Sequence, residues 1–118
     1  MYLSFCSLLI SIMFVADYNS ACNRYRKNKE IIKKSRSTIS VCELMIEVYD
    51  ATVKINNNHL SNTLSKLEEC STTEQIEELS KSISFFRDEI YKDVKNRHAA
   101  YKKMEKHKEI LKSFGELD

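Results

Sequence analysis

The chain has 118 residues, enough for one domain, with zero proline, a single glycine (Gly115), 42% apolar residues, and 19 Lys and Arg against 17 Asp and Glu. Tight turns draw on glycine and proline for their positive or fixed φ angles, so this composition excludes a β-rich fold and a flexible linker. It predicts an all-α fold of long helices joined by short polar links, and the lone glycine excludes glycine-rich phosphate loops.

Residues 2–16 form the first element, an uncharged run from Tyr2 to Ala16 that reads LSFCSLLISIMFVA after Tyr2. Fifteen residues match the core of a secretory signal and fall short of the ~20 needed to span a bilayer. Small residues at Ala16, Ser20 and Ala21 offer cleavage sites, so residues 1–21 are expected to be a signal peptide and 22–118 a single helical domain. The alternative is a short membrane anchor. No Lys or Arg precedes the apolar run and seven follow it, which by the positive-inside tendency puts the following domain in the cytoplasm. Ser20-Ala21-Cys22 also has the outline of a lipid-attachment site, although Asn19 stands where such a site takes an apolar residue.

Charge is distributed in blocks along the chain. Residues 22–36 carry Arg24, Arg26, Lys27, Lys29, Lys33, Lys34 and Arg36 against Glu30 alone, whereas 37–78 carry eight acids against Lys54 and Lys66. Residues 92–112 are basic again, with eight Lys and Arg against Asp93, Glu105 and Glu109. The first block, through Arg24, Arg26, Lys27, Lys29, Lys33 and Lys34, can meet an anionic surface, but the plainer reading is a solvated helix face. No aromatic stacking platform accompanies these charges, so nucleic acid is not an expected partner.

From Tyr25 an apolar residue recurs every seventh position, at Tyr25, Ile32, Ile39, Ile46, Val53, Leu60 and Leu67, which marks a helical stripe. The companion row three residues later is weak: Asn28, Ser35, Cys42, Tyr49, Asn56, Thr63, Cys70. A stable two-stranded coiled coil needs both rows, so a long autonomous coiled coil is not expected. Residues 39–55 are apolar on several sides, through Val41, Leu44, Met45, Val48 and Ile55 besides the stripe, which implies packing against more than one partner. Asn56-Asn57-Asn58 costs a helix on the order of 2 kcal/mol relative to Ala and favours a turn or kink there. The expected bundle therefore has three helices, about 24–55, 59–70 and 73–114, with a long two-helix antiparallel hairpin as the alternative.

Ser71-Thr72-Thr73-Glu74 fits a capping box that opens the last helix near residue 72. Its buried face is expected to be Ile76, Leu79, Ile83, Phe86, Ile90 and Val94, continued by Tyr101, Met104 and Leu111, with a bend at Asn96-Arg97-His98 and Gly115 as the C-terminal cap.

Chemistry is sparse. His59, His98 and His107 have no metal-ligand spacing, no Cys-x-x-Cys occurs, and the carboxylates Glu68, Glu69, Glu74, Glu77 and Glu78 sit where a helix dipole favours acids. No catalytic, cofactor or metal site is expected, and no Asn-x-Ser/Thr glycosylation acceptor is present. Cys42 and Cys70 lie equally far on either side of Asn56, so a reversal at 56–58 would bring them level and permit a disulfide. Cys22 is then left unpaired, lipidated or linked to a second chain in a dimer. The expected function is a secreted or surface-displayed, non-enzymatic protein-interaction module. The alternatives are a carrier of an apolar ligand between helices and a membrane-anchored helical protein.

Overall fold

The computed structural model describes residues 2–117, with side chains from Ser4 onward. It contains two helices, α1 (Tyr2–Glu68) and α2 (Thr73–Ser113), and no strand among the described residues. The three-helix expectation is thus corrected to the two-helix antiparallel hairpin. At 1.5 Å per residue the 67 residues of α1 span ~100 Å, which accounts for a long axis of 106 Å in a molecule only 25 by 14 Å across.

The correction falls at Asn56-Asn57-Asn58, through which α1 runs without a break. Asn57 and Asn58 are exposed and Asn56 is half-buried against the partner helix. Their combined propensity cost of ~2 kcal/mol is smaller than the gain from keeping Val53, Leu60 and Leu67, on both sides of them, packed on α2.

The hairpin is held by two heptad rows on each helix. On α1 the two rows are Ile32, Ser35, Ile39, Cys42, Ile46, Tyr49, Val53, Asn56, Leu60, Thr63 and Leu67, all buried or half-buried, with Thr38 and Thr52 half-buried at their flank. From Ile32 to Leu67 both rows of the sequence repeat therefore face α2, the polar one included, whereas Tyr25 and Asn28 at the start of the repeat are exposed. On α2 the matching set is Leu79, Ile83, Phe86, Ile90, Asp93, Arg97, Ala100, Met104, His107 and Leu111, again at alternating spacings of four and three.

Register follows from one bond: Ser35 Oγ lies 3.2 Å from His107 Nδ1. One heptad further along each helix places Cys42 level with Ala100, and these pack in one buried cluster with Ile46, Met104 and Ile39. Successive heptads then set Tyr49 level with Asp93, Asn56 with Phe86 and Thr63 with Leu79. Four of these five layers pair a larger side chain with a smaller one, and the fifth, Cys42 with Ala100, is small on both sides and flanked by Ile39, Ile46 and Met104, so the weak row of α1 is completed by α2. Buried hydroxyls are satisfied locally, as where Thr63 donates to the His59 carbonyl at 2.8 Å.

Both ends of α2 are capped. Thr72 has extended backbone (φ −113°, ψ 147°) and its hydroxyl accepts from the Gln75 amide at 3.3 Å. The N-cap is thus Thr72, with Gln75 at the N3 position, one residue later than the sequence suggests. At the other end Gly115 takes φ +72°, its amide donates to Lys112 and that of Glu116 to Leu111, both at 3.0 Å. This is a Schellman motif, and only glycine adopts that φ without strain. α2 continues through Asn96-Arg97-His98 without a break.

Candidate interaction face

The expected buried face of α2 is right from Leu79 to Ile90 and again at Met104 and Leu111, and out of phase at Ile76, Val94 and Tyr101. Ile83, Met104 and Leu111 are buried and Leu79, Phe86 and Ile90 half-buried, while Ile76, Val94 and Tyr101 are exposed. Asp93 and Ala100 take the expected places of Val94 and Tyr101, and Arg97 and His107 join them in the seam. The signal for this lay in the strict alternation of fours and threes from Ile83 to Leu111, which a charged residue at 93 obscures.

The cysteines do not pair. Cys42 sits within α1 and Cys70 in the loop just past its end, so 26 residues of unbroken helix from Cys42 to Glu68 hold them ~40 Å apart, and all four cysteines are free. Cys42 is buried in the seam as a small apolar group, while Cys70 sits in the loop with its thiol donating to the Lys66 carbonyl at 3.2 Å. Cys22 is half-buried on α1, and Cys6 is exposed in the apolar segment.

Nor do the titratable groups converge. His59 stacks on Phe86 with ring centroids 5.3 Å apart, and His107 is held by Ser35. His98 lines an open surface groove of about 600 Å³ with Asp50, Val94, Arg97 and Tyr101, in which Arg97 is paired with Asp50. Among the described residues no three His, Cys, Asp or Glu side chains form a group that could hold a metal. Three further depressions of about 370 to 470 Å³ along the hairpin are likewise open to solvent, including one at its open end between Tyr25, Ile32 and Phe114.

Two features remain uncovered. The first is the apolar start of α1. Every described side chain from Ser4 to Ala21 is exposed, with Phe5, Leu8, Ile12, Met13 and Phe14 among the most accessible apolar residues. This part of α1 rises past the end of α2. By length and composition it can cross a membrane, with an 18-residue window of mean hydropathy 1.5. Asp17 is the single charged residue between Tyr2 and Asn23. Arg24, Arg26, Lys27, Lys29, Lys33 and Lys34 follow directly on the same helix, all exposed.

The second is the back of α1. Val41, Leu44, Val48, Ala51 and Ile55 are spaced three and four apart and form a heptad row of their own, pointing away from α2. Leu44 and Val48 are 63% and 62% exposed, and Val41 and Ile55 are also more than half exposed. These are the extra apolar sides of residues 39–55, and α2 covers none of them. Comparison with protein-family models, curated proteins and solved structures gives no match.

Proposed function

We propose that this chain is a secreted or surface-displayed, non-enzymatic interaction module: a rigid helical hairpin that presents the back of α1 to a protein partner. The uncovered row Val41, Leu44, Val48, Ala51 and Ile55 carries this reading. A hairpin already closed by its own two rows has no internal use for a third. Contiguous exposed apolar residues rimmed by polar ones characterise interaction surfaces in soluble proteins. The apolar start of α1 serves as the export signal on this reading.

An uncleaved anchor is the second reading, favoured by the unbroken continuation of the apolar segment into the basic block on one helix. From Tyr2 to Asn23 the helix is ~33 Å long, close to the ~30 Å of a hydrocarbon core. N-terminal sequencing of the mature protein separates the two readings. A start after Ala16 or Ala21 supports export, and an intact apolar segment supports the anchor.

The docking surface is tested with a photo-crosslinking amino acid at Leu44 in the native host. Protein adducts at this position, absent when the same group is placed at exposed Lys103, are the expected result. Equal labelling at both positions contradicts the reading.

A further inference from the structure

Along the back of α1 the sequence is complementary to its own reverse. The row that begins at Lys27 continues with Glu30, Lys34, Ser37, Val41, Leu44, Val48, Ala51, Ile55, Asn58, Asn62, Ser65 and Glu69. Folded back on itself about Val48, it sets Val41 against Ile55 and Leu44 against Ala51. Further out Ser37 meets Asn58, Lys34 meets Asn62, and Lys27 meets Glu69. Apolar layers meet apolar layers, polar meet polar, and the outermost charges are opposite in sign. Every residue in the row is exposed, Glu69 included.

The whole rod carries the same polarity. Its open end is basic, through residues 22–36 of α1 and 92–112 of α2, and its loop end is acidic, through Glu68, Glu69, Glu74, Glu77 and Glu78. Two rods side by side in the same direction set Lys27 on Lys27, Lys34 on Lys34 and Glu69 on Glu69. In opposite directions, each basic end lies along an acidic one. Opposed potentials of this kind select orientation more than they add affinity.

We infer that the partner of this face is a second copy of the chain, docked antiparallel through α1 about a two-fold axis at Val48. The inference rests on the reading of the α1 back face as a docking surface, and it adds the occupant and the direction. A two-fold interface requires a patch that is its own complement, which this row is. The seam from Lys27 to Glu69 is ~63 Å long, and at about 10 Å wide it covers on the order of 600 Å² per chain, at the small, reversible end of specific interfaces. Each α1 then has α2 on one side and its twin on the other. The two apolar N-terminal segments leave from opposite ends of the assembly.

The test is disulfide trapping in the full chain, held in detergent micelles, with Cys6, Cys22 and Cys70 replaced by serine and buried Cys42 retained. In the antiparallel dimer Lys34→Cys meets Asn62→Cys, whereas each of these is ~42 Å from its own copy, far beyond bridging reach. The expected result is a cross-linked dimer when the two variants are mixed and none from either alone. Val48→Cys alone should also link, because it sits on the axis. Val48→Glu, added to both variants of the mixed pair, should abolish the link with helicity unchanged, since the site is on the surface. Self-linking of Lys34→Cys and of Asn62→Cys overturns the direction and would follow from association through the apolar segments. Absence of any link, or a mixed link that survives Val48→Glu, overturns the self-association. In that event adducts at Leu44 that contain a different protein leave the docking-surface reading standing, and their absence removes both.

Discussion

Among the described residues Asp93 carries the one buried side-chain polar atom without a hydrogen-bond partner, and replacing it gives a quantitative check on the fold. Its residue exposure is 9%, and Oδ2 is buried without a hydrogen-bond partner. The register places it level with Tyr49, inside a row otherwise made of Leu79, Phe86, Ala100 and His107. A buried polar atom left unsatisfied costs ~1–3 kcal/mol, and burying a leucine side chain gains ~1.5–3 kcal/mol. Some of that gain is lost to imperfect fit, so Asp93→Leu should stabilise the hairpin by about 2–3 kcal/mol. With an unfolding entropy of ~2.1 cal/mol/K per residue over about 100 helical residues, the melting temperature should rise by roughly 10–15 °C. Thermal unfolding followed by far-ultraviolet circular dichroism reads this directly. Lys95→Leu, on the exposed face of the same helix, should stay within about 0.5 kcal/mol and serves as the control. An unchanged or lower melting temperature for Asp93→Leu would mean that position 93 does not lie in a dry seam, and the register argued from Ser35 and His107 would be wrong.

Phe86→Ala should cost about 2–3 kcal/mol, below the range for a fully buried phenylalanine, because Phe86 is half-buried and stacked on His59. Chemical denaturation measures it, and a loss under about 1 kcal/mol would place Phe86 outside the seam. Peptide mapping of the native chain under non-reducing conditions should find no Cys42–Cys70 bridge. Finding that bridge would require the chain to reverse between the two cysteines.

The all-α architecture was legible in composition alone, because a chain with one glycine and no proline has nothing from which to build frequent turns. The Ile32 to Leu67 stripe and the helix start at Thr72 were legible for equally local reasons, namely periodicity and a hydroxyl at a cap. What the sequence obscured was tertiary. Ser35, Cys42, Asn56 and Thr63 look like failures of a coiled-coil row until His107, Ala100, Phe86 and Leu79 are set opposite them. No periodicity in α1 reveals what α2 supplies. The asparagine run misleads in the same way, since propensity prices the backbone of 56–58 without the flanking side chains that hold it straight. Asp93 hid the phase of α2 because a carboxylate is a poor guess for a seam. The apolar sides of residues 39–55 were visible from the start as a surplus. The structure gives that surplus a geometry, a single row on the back of α1.

The back row, the separated cysteines and the polarity of the rod all follow from α1 being one continuous helix through Asn56-Asn57-Asn58. Nitroxide labels at exposed Glu43 and Glu68, in the full chain with its native cysteines replaced and diluted into an excess of unlabelled chain so that only distances within one chain are read, measure this by pulsed electron paramagnetic resonance. Twenty-five residues of continuous helix predict one narrow distance distribution centred near ~37 Å. A chain reversed at the asparagines would pack the two segments with axes 8–10 Å apart, and a dominant distance below about 20 Å would contradict the account.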